Sequence, residues 1–450
     1  RVGTQQFVLP LPPNSAAAAA ATTPLWREVA ALGQLSLACL GASDGWRVEG
    51  DGLLVEFGAD GALRTLQVDG ETLLTDGPQT CMWRAPTDND EAGGYAHLWR
   101  SAGLDTSRSV LEGMRAWQPL PSLAVITTDW RQVGANGQPH GTSSLTYMIH
   151  ADGQIEVRCL MQPTVQSGSA SEPPLPTLGR LGLHMTVPPT FERAVWLGNG
   201  PHENYPDRCA AAVFGRYSRQ VRSLHTPYIV PSENGGRGGV QWLALTTTQG
   251  HENDEMAEFP ERASHFNPYG SVTKPVGLVV CREGLTPPLQ MSASYYSAAN
   301  LAAASHDHEL HSSGAVHVHL DVQHMGVGGH DSWTKLATVG ADYYVSPRQN
   351  AAMSLRLMPM TPRRGEMPDV CVAQRARPIL TSGAQVLLRA VLPQPLSEAP
   401  AKAAQANAIA QALFTANYPN MEAEQSTYSH FPPTAEQYSP APPAGSNSTS

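Results

Sequence analysis

An all-β fold, a large antiparallel sandwich, is what this sequence predicts, and three observations carry the expectation. Short strand-like runs recur, many of them joined by Asp-Gly or Gly-rich turns. Long amphipathic helical stretches are scarce. Gly (40) and Pro (38) are frequent, while charged residues make up only 15% of the 450, against a usual share of about 25%. Short strands with regular turn signals pack as two antiparallel sheets around one apolar core.

The elements follow in order. Residues 46–49 and 53–57 read as strands, with Glu49-Gly50-Asp51-Gly52 turning between them. Residues 59–62 turn into a strand over 63–68. Asp69-Gly70 then joins it to 71–74 as a two-residue hairpin, because both residues tolerate positive φ. The unit recurs as strand 145–150, turn Ala151-Asp152-Gly153 and strand 154–161. The same texture runs to Met360. Two polar stretches, 162–178 and 250–276, read as surface loops.

The sandwich is thus assigned to 43–360. Before it, residues 5–9 read as a strand ended by Pro10. Residues 11–42 are a linker and an uncertain segment: an Ala-rich low-complexity run, then an apolar stretch over 25–40 that suits a strand or a helix. After it, 361–450 is an extension. Residues 401–416 favour a short helix, and the Pro, Ser, Thr and Gln content from Tyr418 onward predicts disorder. Asn447-Ser448-Thr449 matches a glycosylation sequon and is read as chance. The chain starts at Arg1 rather than Met, as a fragment or processed product would.

Charge excludes one class of partner. The formal net charge is −10, which argues against nucleic acid, since that partner needs a basic face. No run reaches the roughly 18 apolar residues of a membrane span. The six cysteines, Cys39, Cys81, Cys159, Cys209, Cys281 and Cys371, are far apart and form no C-x-x-C pair. They read as buried free thiols in a reducing, cytoplasmic setting. A histidine-rich run, from His306 to His324, invites a metal reading. In a strand over 316–322, His317, His319 and Asp321 would share one face. Zinc would need a further fixed ligand, so a solvated strand face without metal is the expectation.

Four polar, Gly-containing segments stand out: Trp83-Arg84-Ala85-Pro86-Thr87-Asp88-Asn89-Asp90, then 198–208, 228–237 and 324–333. Each joins strand-like text to a loop dense in Asp, Asn, Glu and Arg, with an aromatic residue. Fixed polar groups beside a ring suit a sugar's hydroxyls and its apolar face. The same groups would also serve to hold turns and ion pairs. The residues alone leave both readings open.

W-R-A-P-T-D-N-D, G-x-G-P-x-E-N-Y-x-D-R and M-G-x-G-G-x-D-S-W, in this order, resemble the C-terminal domain of glycoside hydrolase family 2 β-galactosidases, which some members carry as a separate small chain. The resemblance covers about 43–360. It implies a supersandwich related in fold to galactose mutarotases. It also implies that residues 1–10 end a preceding immunoglobulin-like domain. The family's two catalytic glutamates stand in a barrel domain, and their motifs are not found here. This chain would therefore hold no catalytic residue and be inactive alone. It would complete the sugar pocket of a partner barrel domain or large chain that hydrolyses terminal β-D-galactosides. Family enzymes use Mg and Na in that catalytic domain, and no cofactor or metal is expected in this chain.

The resemblance also assigns residues. Trp333 matches the tryptophan that stacks on sugar at the pocket mouth, with its ring expected to be partly exposed. Asp88, Asn89 and Asp90 match a loop near the active site and are candidate substrate contacts. Glu203, Arg208, Glu233, Arg237 and Asp331 are expected to form a structural network. His330 departs from the pattern, since the family commonly has an acid there. Two further readings are a stand-alone galactose-binding module and a mutarotase-like epimerase using a His and a Glu. The oligomeric state is left open.

Overall fold

The computed structural model describes residues 33–41, 45–247, 276–284, 286–331 and 338–360. All of them belong to the first of the chain's two units, Arg1–Arg389; the second, Ala390–Ser450, lies outside the described residues. So do the expected strand at 5–9, the helix at 401–416, the tail and sequon, nearly all of the 250–276 loop, Cys371 and Trp333.

A meander opens the described fold. Strands β1 (Ser36–Gly41), β2 (Gly45–Glu49), β3 (Leu53–Phe57), β4 (Leu63–Val68) and β5 (Glu71–Leu74) form a five-stranded sheet in that order. β1 places a strand inside the segment left undecided between strand and helix. The β4–β5 hairpin is the expected one. Val68 pairs with Glu71, and Asp69 and Gly70 have φ of 53° and 79°, both in the left-handed region that the turn requires.

The rest is two further sheets. Strand β6 (Asp76–Cys81) leads to helices α1 (Asp88–Ala92) and α2 (Tyr95–Ser101). Long strands β7 (Arg108–Leu120), β8 (Leu123–Val133), β9 (Pro139–His150) and β10 (Ile155–Pro163) follow. Then come β11 (Arg180–Val187), β12 (Arg193–Gly200), β13 (Val213–Gln220), β14 (Arg237–Val240), β15 (Trp242–Thr246), β16 (Gly277–Arg282) and β17 (Leu289–Ser294). Helix α3 (Ala298–Ala303), β18 (Val316–His324) and β19 (Ala351–Met360) end the fold. Nine strands run β13-β12-β15-β16-β19-β10-β9-β8-β7, and five run β14-β17-β18-β11-β6. Every pairing is antiparallel, for example Val157 opposite Leu355 and Leu183 opposite Leu320.

Alternation sets the core. Ile155, Val157, Cys159 and Met161 of β10 are buried in one cluster with Leu181, Leu183, Met185 and Val187 of β11 and Val316, Val318 and Leu320 of β18. Phe57 and Tyr147 meet edge to face with centroids 4.9 Å apart, which ties the meander to the nine-stranded sheet. Among the described residues no helix is long and apolar enough to cross a membrane. The five described cysteines are free; Cys159 and Cys281 are buried, but Cys39 is exposed, contrary to the expectation for it. The 162–178 loop is ordered at its end, where Leu178 bridges Val345 and Trp99 Nε1 donates to the Thr177 carbonyl.

Candidate functional site

The first motif builds a cap and a clamp. Thr87 caps α1: its Oγ1 accepts from the Asp90 amide at 3.2 Å, and Asp90 Oδ2 accepts from the Thr87 amide at 2.9 Å. This reciprocal pair is a capping box. The same Asp90 carboxylate receives Arg84 through Nη2 at 2.8 Å and Nε at 3.1 Å. Both side chains are buried, at 0% and 2% exposure. Arg84 then reaches across 241 residues, donating to the Met325 carbonyl at 2.7 Å and to the Gly326 carbonyl at 2.9 Å.

Two more motif residues grip the same peptide. Asn89 Nδ2 donates to the Val327 carbonyl at 2.8 Å. The two oxygens of Asp207 accept from the Val327 and Gly328 amides at 3.0 and 2.6 Å. This closeness explains the glycines. A Cβ on Gly326 would lie 2.4 Å from Val339 and 2.6 Å from Asp207, and one on Gly328 would lie 2.7 Å from Asp207. Neither has positive φ, so space rather than backbone freedom demands glycine here. Three side chains from two segments therefore set the course of residues 325–328, which lead in sequence to Asp331 and Trp333.

A second buried cluster lies beside it. Arg180 Nη2 donates to Glu233 Oε2 at 2.8 Å and lies 3.2 Å from His324 Nε2; its Nε is 3.5 Å from Asp321 Oδ2. The Tyr205 hydroxyl donates to Glu233 Oε1 at 3.3 Å and accepts from the Gly236 amide at 3.1 Å. The Glu233 amide donates to the Ala85 carbonyl, so this cluster touches the first motif.

Charge is apportioned by burial and neighbours. Burial raises the Glu233 carboxyl, but Arg180 and His324 outweigh it and hold it at about 2. Burial dominates at Asp321, with Glu233 adding repulsion, and lifts it to about 7 despite Arg180. Burial also lowers His324. Its Nδ1 lies 2.7 Å from the Met325 carbonyl, and its Nε2 lies 3.2 Å from Arg180 Nη2 and 3.7 Å from Glu233 Oε1. Burial pushes the Tyr205 hydroxyl far above its usual range.

Four of the five residues expected in a structural network, Glu203, Arg208, Glu233 and Arg237, make polar contacts. Glu203 accepts from the Tyr228 hydroxyl, from Thr226 Oγ1 at 3.0 Å and from the Gly235 amide at 2.8 Å. Arg237 donates to the Gly235 carbonyl at 2.7 Å and lies 5.6 Å from the Trp196 ring centre; burial lowers it to about 10. Arg208 is exposed; it pairs its backbone with Tyr205 and interacts with the Tyr228 hydroxyl. Asp331 is half-buried. Asp88 is exposed at the start of α1, and Asn89 is half-buried. Asp90 is the one to correct. Expected among the residues that meet substrate, at 1% exposure it lies inside the wall, bonded to Arg84. Sequence reading does not single out Arg180, gives Arg84 and Asp207 no role of their own within the motifs, and places Asp321 on a solvated face. A lone arginine within Leu178-Gly-Arg-Leu-Gly-Leu is the available signal for Arg180, since a charge in an apolar strand requires a buried partner.

The His317, His319 and Asp321 face also differs from expectation. His319 and Asp321 are buried, not solvated. His184 on β11 lies against them, with Nε2 3.0 Å from His317 Nδ1. Burial lowers all three histidines, His184 to about 3.

Comparison with known proteins gives these motifs a family. Residues 49–357 match the family described as beta galactosidase small chain. A β-galactosidase of Photobacterium profundum is 31% identical over 283 residues, covering 61% of this chain and 23% of that protein. One from Vibrio cholerae serotype O1 is 29% identical over 351 residues, covering 71% and 28%. The chain thus spans about a quarter of the length of these curated relatives. Among solved structures, galactose 1-epimerase from Lactobacillus acidophilus NCFM aligns at 8% identity and TM-score 0.33 over 72% of this chain and 98% of that one. Over residues 49–357, which carry the motifs and nearly all of the two later sheets, this chain belongs to the β-galactosidase small-chain family.

Proposed function

We propose that this chain is the non-catalytic part of a β-galactosidase, completing the sugar pocket for hydrolysis of terminal β-D-galactosides. The carrying observation is the convergence of Arg84, Asn89 and Asp207 on residues 325–328. A loop held at so many points over 325–328 has little conformational entropy left to lose on binding, and Trp333 follows it in sequence. The catalytic carboxylates then belong to a barrel domain or large chain. Ile229 (89% exposed) and Val230 (51%) follow Tyr228 on the same motif, and an apolar tip of this kind suits contact with that partner. The free described thiols suit a reducing, cytoplasmic setting. The epimerase reading has less support, because His324 and Glu233 are buried and engaged by Arg180.

The test is reconstitution. The purified chain alone should not turn over a chromogenic β-galactoside. Mixed with a relative's polypeptide lacking the matching region, it should restore turnover. Turnover by the isolated chain, or no restoration despite complex formation, would overturn the reading. Polarimetry of galactose anomers with the isolated chain tests the epimerase alternative.

A further inference from the structure

Residues 305–311 form a histidine- and acid-bearing turn that the proposed function does not use. Asp307–Glu309 is a single 3₁₀ turn. With about three residues per turn, positions 306 and 309 project along one line. His306 Nδ1 and Glu309 Oε1 accordingly lie 3.0 Å apart. The His308 ring stacks beside that of His306, with centroids 5.4 Å apart and planes 27° apart. One donor atom from each of His306, His308 and Glu309 lies within 4.8 Å of the other two.

The turn is pinned on several sides. The Ser305 amide donates to Glu309 Oε2 at 2.8 Å, which leaves Oε1 toward the rings. His225 Nε2 holds Asp307 Oδ1 at 2.7 Å. The His311 amide donates to Asn300 Oδ1 at 3.0 Å. Leu310 is buried with Leu301, Ala304 and Ala85. Two imidazoles and one carboxylate are a donor set that zinc accepts while keeping an open position. Imidazole donors favour Zn²⁺, Ni²⁺ and Cu²⁺ over Mg²⁺ and Ca²⁺.

We infer that His306, His308 and Glu309 form a surface site for a divalent transition cation, Zn²⁺ first among them, with water in the remaining positions. The His306 side chain is 61% exposed, so side-chain rotation suffices to bring the donors to bonds of about 2.0–2.2 Å. The cation replaces the hydrogen bond between His306 and Glu309. This revises, at one turn, the expectation that the chain holds no metal, and it is independent of the role proposed for the galactoside pocket.

The experiment is a titration of the full chain with Zn²⁺ against a chromophoric chelator, repeated with Co²⁺ for its visible absorption. One equivalent should bind, and Zn²⁺ should raise the melting temperature. His306→Ala, His308→Ala and Glu309→Gln should each weaken binding by at least about tenfold, the lower bound typical for disturbing a metal site's surroundings. Far-UV circular dichroism should stay unchanged, because these side chains are exposed. The second histidine cluster provides the control: His184→Ala should leave Zn²⁺ binding intact. The inference falls if the His306/His308/Glu309 triple variant binds like wild type, if wild type binds only above millimolar Zn²⁺, or if His184→Ala abolishes binding.

Discussion

The meander of β1–β5 and the buried clusters around Arg84 and Arg180 hold together by opposite means. In the meander each strand pairs with its sequence neighbour, and Val48, Val55 and Leu66 bury completely. Its ion pairs, such as Arg47 with Glu56, sit at the surface, where such pairs contribute about 0–1 kcal/mol. In the clusters, groups up to 242 residues apart in sequence meet in the interior. There each charge depends on its partner, because a buried charge left alone is costly. Damage to the meander should therefore be graded, and damage to the clusters abrupt.

The largest effect is expected at Arg84. Arg84→Ala strands Asp90 and two carbonyls in the interior and should destabilise by about 3–5 kcal/mol; chemical denaturation measures it, and a change under about 1 kcal/mol, the worth of a surface pair, would erase the contrast. Leu66→Ala, in the meander, should cost about 2–4 kcal/mol through its cavity, without the loss of order at 325–328 that hydrogen exchange should report for Arg84→Ala. Asp207→Ala removes the acceptor of the Val327 and Gly328 amides and should cost about 1–3 kcal/mol. In a reconstituted enzyme it should raise KM for the galactoside.

The clusters also predict a pH response. The folded pKa of Asp321 lies above its unfolded value, at about 7 against 3.8. The folded state therefore binds the extra proton, and stability falls as pH rises from about 4 to 7. Glu233 has the opposite sign: held at about 2 against 4.5, its contribution is lost as pH falls below 4.5. The lowered histidines His184, His317, His319 and His324 act with the opposite sign to Asp321, adding stability as pH rises to about 6.5. Asp321 is therefore read by difference: Asp321→Asn should make the slope of melting temperature against pH more positive between about pH 5 and 7. An unchanged slope in the variant would remove Asp321 as a contributor to it. The smallest effect is expected at exposed Asp88, where Asp88→Ala should change stability by less than about 0.5 kcal/mol.

Legibility divides along the same line. The meander is readable because alternation and Asp69-Gly70 are local signals, and β2 to β5 fall where those signals put them. The four motifs are visible as dense polar segments, yet their partners are not. Arg84 meets Gly326 only after the sheets bring residues 242 positions apart together. Asp90 reads as a loop acid because nothing local marks it as Arg84's partner. His319 and Asp321 read as solvated because period-two alternation identifies two faces without saying what covers either. Asp321 is buried beside Arg180, on the neighbouring strand.

The position of β19 has a consequence for synthesis. It is the last described strand, yet it lies between β10 and β16 in the middle of the nine-stranded sheet. Strands β7–β10 leave the ribosome with one edge of β10 open, and that edge stays open while nearly 190 residues are made, from Pro163 to Ala351. At about 5–20 residues per second this takes roughly 10–40 s. An unpaired inner edge is a template for other chains, so the domain spends that interval in need of a chaperone or of a fast-forming cover.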